Sequence, residues 1–185
     1  PWARASGRHL ADLVRTSSAE AMISTSPTHS AQLLALSAKR ATGVSWIADF
    51  RDPWTGDPSF DRRAGRDEMA RMETDVVKNA DAVVGVCPKI LRDFADRAPA
   101  DKLHLIENGY DESDFEQVDW SAPAVDEGTL TLGYNGTVSA YHNPGPVLEA
   151  LRRMLTSGVI ERGAIRVVFT TVSTRSARFR AFRDL

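Results

Sequence analysis

Residues 43–54 read Gly43-Val44-Ser45-Trp46-Ile47-Ala48-Asp49-Phe50-Arg51-Asp52-Pro53-Trp54, and this stretch decides the fold. Gly43 is the residue type expected just past a helix C-terminus, where a left-handed backbone is needed. Residues 44–50 form a short apolar run, the pattern of a buried strand, and it empties into the polar loop Arg51-Asp52-Pro53-Trp54. A helix stop, a buried strand and a polar loop in that order make one joint of a βαβ unit.

The same alternation continues on both sides. Upstream, helices are predicted over 9–20 and 29–42, with a strand over 21–24 between them that runs out into Ser24-Thr25-Ser26-Pro27-Thr28. Downstream, Met69, Met72, Val76 and Val77 fall on one face of a helix over 67–79, which leads into a strand over 82–87. Pro88 opens the next helix at the position proline tolerates best. A strand over 102–107 ends in Asn108-Gly109, and the acidic, non-alternating stretch after it argues against a hairpin. Residues 116–128 turn acidic and Pro-containing, as a linker does. A new unit follows, with a strand over 129–134, the turn Asn135-Gly136-Thr137, a helix over 146–155 and a strand over 165–171. The expected fold is α/β, built from parallel-sheet Rossmann-like units, with domains over 1–115 and 129–185 joined by the linker.

The chain has 185 residues, 42% of them hydrophobic, and a formal charge of -2, the composition of an ordinary globular protein. That charge calls for neither nucleic acid nor an anionic membrane as partner. It is unevenly spread: residues 107–127 carry eight acids and no base, whereas the tail holds Arg175, Arg178, Arg180 and Arg183. With Phe179, Phe182 and Leu185, the tail reads first as a helix with a solvated face and second as a peripheral contact with a lipid surface. Cys87 stands alone, so no internal disulfide is expected, no metal-ligand spacing is present and a reducing, cytoplasmic setting fits. No apolar run reaches the roughly 18–20 residues that cross a bilayer. Pro1 at the start, and an Arg-rich segment without a stop signal at Leu185, make both ends look cut.

Three polar loops follow predicted strands, at residues 26–30, 49–54 and 108–111, and ligands of open parallel sheets bind at such carboxyl ends. Asp49-Phe50-Arg51-Asp52 sets a guanidinium between two carboxylates. Arg51 would hold a phosphate while Asp49 or Asp52 orients or deprotonates a sugar hydroxyl; alternatively the three form an internal ion cluster that fixes the loop. Ser26 or Thr28 would cap the following helix, or, with His29 and the exposed amides of the helix start, bind a polar ligand. Gly136 lets the backbone approach a ligand closely, although Asn135-Gly136-Thr137 is neither a dinucleotide fingerprint nor a Walker loop. Cys87 and Glu73 read as core and helix residues.

Taken in order, Ala21-Met22-Ile23-Ser24-Thr25-Ser26-Pro27, Trp46 to Trp54, Ala80-Asp81-Ala82-Val83-Val84-Gly85-Val86-Cys87, Ile106-Glu107-Asn108-Gly109-Tyr110-Asp111 and Leu132-Gly133-Tyr134-Asn135-Gly136-Thr137 resemble the retaining, nucleotide-sugar-dependent glycosyltransferases of the two-domain GT-B fold, family 4-like. The resemblance implies that the first domain faces the acceptor, with the loop after the strand at 46–50 beside the reacting sugar; Ser26, Thr28 and His29 are then the acceptor-binding candidates. Arg51 then stands about where many relatives carry a catalytic-site histidine. Asn108, Gly109 and Asp111 match an Asn-Gly-x-Asp signature at the cleft, with a structural role. The turn at Asn135, Gly136 and Thr137 would lie against the donor diphosphate. Relatives often follow it with an Arg and a Lys; residues 137–143 contain neither, and His142 is the substitute this sequence offers.

The resemblance further implies no resident cofactor, a nucleotide-diphosphate sugar as substrate and a polysaccharide or lipid-linked acceptor. The family's first strand with its Gly-rich loop is expected before Pro1, and its acidic pair beyond Leu185. Two alternatives are a non-catalytic GT-B-like sugar or nucleotide binding module, and a nucleotide-sugar epimerase. Glycosyl transfer needs cations, helix N-termini and amides around the departing diphosphate. The 185-residue chain holds part of that set and is expected to transfer no sugar by itself; sugar transfer from a nucleotide-sugar by this chain alone would overturn that expectation.

Overall fold

Gly43 adopts φ 74° and its N–H donates to the Lys39 carbonyl at 2.8 Å, which closes α2 (Ser30–Thr42) and releases the chain into β2 (Ser45–Phe50). A side chain at this φ would be strained, so the glycine that marks the joint in the sequence also makes it. The structure is a computed structural model and describes residues 2–57, 65–121, 128–138 and 142–170. The chain divides into two units, Pro1–Tyr110 and Asp111–Leu185.

The first unit runs α1 (Trp2–Thr16), β1 (Ala21–Ser26), α2, β2, α3 (Arg66–Asn79), β3 (Ala82–Gly85), α4 (Pro88–Phe94), β4 (Leu103–Leu105). Its four strands lie in the order β1-β2-β3-β4 and pair in parallel throughout, with Ile23 opposite Ile47, Ala48 opposite Val83 and Val84 opposite His104. The second unit carries β5 (Leu130–Asn135), α5 (Gly145–Thr156) and β6 (Ile165–Thr170), and its two strands are likewise parallel. Both units are α/β with parallel sheets, as the alternation of apolar runs and amphipathic stretches predicts.

Trp46, Ala48 and Phe50 alternate along β2, and each is fully buried. They join Ala35 and Leu36 of α2, Val76 and Val77 of α3, and Ile90 and Phe94 of α4 in one cluster. Burial of a side chain the size of Phe50 contributes about 2–3 kcal/mol, and Phe50 also meets Phe94 edge-on at 4.9 Å. Three successive helices thus cover the same face of the sheet. On the opposite face Ile23 is 69% exposed.

Element ends differ from the sequence expectation where local polar groups intervene. The first helix, expected over 9–20, spans Trp2–Thr16. Thr16 turns its hydroxyl back onto the carbonyls of Asp12 and Leu13, and Ser18 takes φ 52°, which stops the helix. β3 ends at Gly85 rather than at 87, because Cys87 takes the N-cap position of α4 and Pro88 its first turn. β4 is three residues long; Ala100–Lys102 forms a 3-10 turn ahead of it. The capping expectation is corrected: His29 occupies the N-cap of α2 and makes no side-chain capping bond to the helix, and the Thr28 hydroxyl meets that of Ser30 at 2.9 Å.

Asp81 ties the entry of β2 to α2. Its carboxylate accepts from the Lys39 ammonium and from the Trp46 N–H, both at 2.7 Å. Burial pushes the carboxyl up, but these partners outweigh it and hold Asp81 below its ordinary 3.8. A depressed carboxylate stabilises the fold above its unfolded value, and that contribution disappears as the pH falls through the lowered native value. The Asp81 side chain is 50% exposed, so the contribution is on the order of 1 kcal/mol at most. The difference in unfolding free energy between the wild type and Asp81→Asn should therefore be present at pH 7 and vanish once the pH drops well below 3.8; a difference that grows on acidification contradicts the assignment.

Candidate functional site

The carboxyl ends of β1, β2, β3 and β4 lie along one edge of the sheet, and backbone bonds hold the emerging loops there. Arg51 N–H donates to the Ser26 carbonyl at 3.3 Å, Val86 N–H to Phe50 at 3.3 Å and Ile106 N–H to Gly85 at 3.2 Å. The loops carrying Ser26–His29, Arg51–Trp54 and Asn108–Gly109 therefore start from neighbouring positions. Strand order does not reverse within these four strands, so what gathers here is a row of loops on a common edge, not a crevice at a change of winding direction.

A buried amide builds the floor of this edge. Gln32, fully buried on α2, accepts from the Ser24 hydroxyl at 2.5 Å and donates to the Asp49 carbonyl at 2.8 Å. Ser24 in turn accepts from the Trp46 indole N–H at 2.8 Å. Each polar group is satisfied by the next, so the ends of β1 and β2 are locked to the helix between them. Motif and loop patterning do not single out Gln32, although a polar residue on a helix stripe shared with Ala35 and Leu36 is a usable signal.

The predicted residues separate. Asp49 faces away from the core and its carboxylate accepts from the Thr25 hydroxyl at 2.6 Å. Arg51 and Asp52 are exposed, and Arg51 makes no ion pair among the described residues. The internal Arg–Asp cluster, one of the two alternatives for this loop, is thus not formed, and the guanidinium remains available at the strand end. Ser26 is 1% exposed and turns its hydroxyl toward the Asp49 carbonyl at 3.4 Å; what it presents at the edge is backbone. Thr28 is exposed and His29 half-buried. The His29 ring stacks on the buried Trp54 indole at 4.8 Å with planes 3° apart, which joins the first loop to the second.

The far side of that second loop is anchored by Glu73. Its carboxylate is 1% exposed, accepts from the Thr55 N–H at 2.9 Å and from the Thr55 hydroxyl, and pairs with Arg97 at 2.5 Å. Glu73 reads in the sequence as a helix residue. Its position between Met72 and Val76, inside the apolar stripe of α3, marks it as a charge that tertiary partners must compensate.

Asn108 and Gly109 are exposed in irregular chain beyond β4. Asp111 belongs to the second unit, where it caps the 3-10 turn Glu112–Phe115 by accepting from the Ser113 hydroxyl and N–H at 2.7 and 2.9 Å. The Ser113 hydroxyl, and then its N–H, hold the Asp111 carboxyl below its ordinary range.

In the second unit, Gly136 has φ 142°, a conformation open to glycine, and its N–H donates to the Thr170 carbonyl at 3.0 Å. Asn135 and Thr137 are exposed on either side of it, and the Tyr134 hydroxyl donates to the Thr137 carbonyl at 3.1 Å. His142, with Leu132, Tyr134, Val147, Val167 and Phe169, lines a cavity of about 410 Å³ between the sheet and α5. Basic residues on α5 do not replace the missing Arg and Lys: Arg152 and Arg153 bind Glu149 at 2.8 and 2.9 Å, and Arg152 first, then Arg153, bring its carboxyl down to about 2. The predicted tail arginines, Arg175 to Arg183, lie outside the described residues.

The glycosyl transferase 4-like domain family matches residues 1–109, more than half of the chain and nearly all of the first unit. The chain belongs to this family. No curated protein matches the sequence. Among solved structures, this member of the family is similar to an S. aureus MnaA-UDP co-structure, with a TM-score of 0.57 and 11% identity over 97% of this chain and 48% of that one. The chain therefore spans about half the length of that structure, and at such identity the likeness is one of fold. It agrees with two Rossmann-like α/β units. Among the described residues no helix is long and apolar enough to cross a membrane, and no three His, Cys, Asp or Glu side chains gather as a metal site.

Replacing Gln32 tests the floor of the glycosyl transferase 4-like unit. Gln32→Leu keeps the volume but strips the Asp49 carbonyl and Ser24 hydroxyl of a partner, which should cost about 2–3 kcal/mol. Urea unfolding should show a lower midpoint, and the Arg51 amide should exchange faster; an unchanged midpoint would count against the network.

Proposed function

We propose that the whole protein transfers a sugar, with retention, from a nucleotide-diphosphate donor to a glycan or lipid-linked acceptor. The first unit supplies the acceptor side and the second the start of the donor side. Membership of a glycosyl transferase family supports the class of reaction. The observation that carries the site is Arg51, an exposed guanidinium at the carboxyl end of β2, next to Asp52 and free of ion pairs among the described residues. A guanidinium held there stabilises negative charge on a departing phosphate through paired N–H donors. Asp52 and Asp49 orient the attacking hydroxyl, and Thr28 and His29 contact the acceptor. The UDP of the similar MnaA-UDP co-structure supports a nucleotide donor. In the second unit, the Gly136 backbone would approach the diphosphate, flanked by Asn135, Thr137 and His142. No resident cofactor takes part. A cytoplasmic setting, with peripheral contact at the inner membrane face, belongs to the same proposal.

A second reading has its own support. Residues 137–143 hold no Arg or Lys, and the arginines of α5 are bound to Glu149, so a binding module without transfer chemistry is the alternative. Incubation of the whole protein with labelled nucleotide-sugars and glycan or lipid-linked acceptors separates the two. Labelled glycan supports the transferase, donor binding without product supports the module, and an inverted sugar centre with no acceptor consumed indicates an epimerase. Within the transferase, Arg51→Ala should lower kcat by about 100- to 1,000-fold while the melting temperature moves by no more than about 2 °C, as for an exposed substitution. Equal losses of activity and stability would assign Arg51 a structural role.

A further inference from the structure

We infer that Trp54 is the positioning residue that sets His29 at the loop edge of the sheet, an inference that rests on the acceptor-side assignment of His29. The two rings are nearly parallel, 3° between planes and 4.8 Å between centroids, and they come from different loops, one after β1 and one after β2. Trp54 is 6% exposed and belongs to the core cluster of the first unit, so its indole is a fixed surface. The next residue, Thr55, is bound through both N–H and hydroxyl to Glu73, whose carboxylate Arg97 neutralises. Helix α3 therefore holds the loop from behind.

His29 is held from the other side by its backbone, whose carbonyl accepts from the Gln32 and Leu33 N–H groups at 3.1 and 3.4 Å. The imidazole keeps two side-chain torsions, and stacking on a rigid indole removes much of that freedom before a ligand arrives. A pre-set imidazole gives up less entropy when it hydrogen-bonds a sugar hydroxyl. Trp54 itself touches no substrate; it acts through His29. It also makes the spacing of His29 from Arg51 a property of one packed contact, because Trp54 and Arg51 share a loop.

Two measurements on Trp54→Leu and Trp54→Phe decide the matter. In NMR spectra of the 185-residue chain, the ring protons of His29, one of four histidines, should lie upfield because they sit over the indole face. They should move to the positions of an exposed histidine in Trp54→Leu and stay shifted in Trp54→Phe, whereas unmoved His29 signals in Trp54→Leu overturn the inference. In the whole protein, Trp54→Leu should raise the acceptor KM about tenfold, the worth of one well-placed hydrogen bond, with the donor KM unchanged, and Trp54→Phe should restore it. A parallel rise in both KM values, or no rescue by Phe, indicates general loosening and overturns the positioning role. Absence of any sugar transfer by the wild type defeats the proposed function instead, and the His29 signals then decide whether Trp54 positions the ring.

Discussion

The amide of Gln32 is the contact on which the working edge of the first unit depends. It reaches from α2 into the space between β1 and β2 and satisfies the Ser24 hydroxyl on one side and the Asp49 carbonyl on the other. An apolar residue there would leave the Ser24 hydroxyl without its acceptor and the Asp49 carbonyl without its nearer side-chain donor, and a buried group that loses its partner costs more than a hydrogen bond gains. With the amide present, both strands end at a defined height, and the loops that leave them start from fixed points. The Trp46 indole extends the chain of bonds into the core, so packing and hydrogen bonding in this region are one system.

Asymmetry of the sheet follows from the same packing. Three helices cover the face that carries Trp46, Ala48 and Phe50, while the other face carries Asp49 and the exposed Thr25 and Ile23. Side chains alternate across a strand, so one residue separates a wholly buried Ala48 or Phe50 from the carboxylate between them. This places an ionised group at the end of an apolar strand without burying it. Arg51 follows immediately, outside the core, where a charged group keeps its hydration.

The second unit is organised differently. Its glycine turn is held by a backbone bond to Thr170, and its cavity is apolar, with His142 and Asn143 at the rim. Asn143 accepts from the N–H of Gly145, the first residue of α5, at 3.0 Å. Arg152 and Arg153 of this helix are paired with its own Glu149. Among the described residues, the turn itself presents backbone and the exposed Asn135 and Thr137 rather than a guanidinium or ammonium group.

Sequence periodicity alone determined the α/β class, the order of the elements and most of their ends. These depend on local rules: Gly43 must supply a positive φ, Pro88 suits a first helical turn, and the apolar runs have the length of buried strands. Where a few polar atoms compete with the backbone, as at Thr16 and Ser18, the periodic pattern overshoots by several residues. The loops after β1 and β2 are legible as candidates because they follow strands. What they do to one another is not. The stack of His29 on Trp54, the Glu73 anchor of Thr55, the Gln32 bridge and the freedom of Arg51 from Asp49 and Asp52 all join residues that are distant in the chain or depend on which way a side chain turns. Local composition determined which residues stand at the sheet edge; only tertiary packing decided which of them are locked and which stay open, because burial and partner choice arise when distant segments meet.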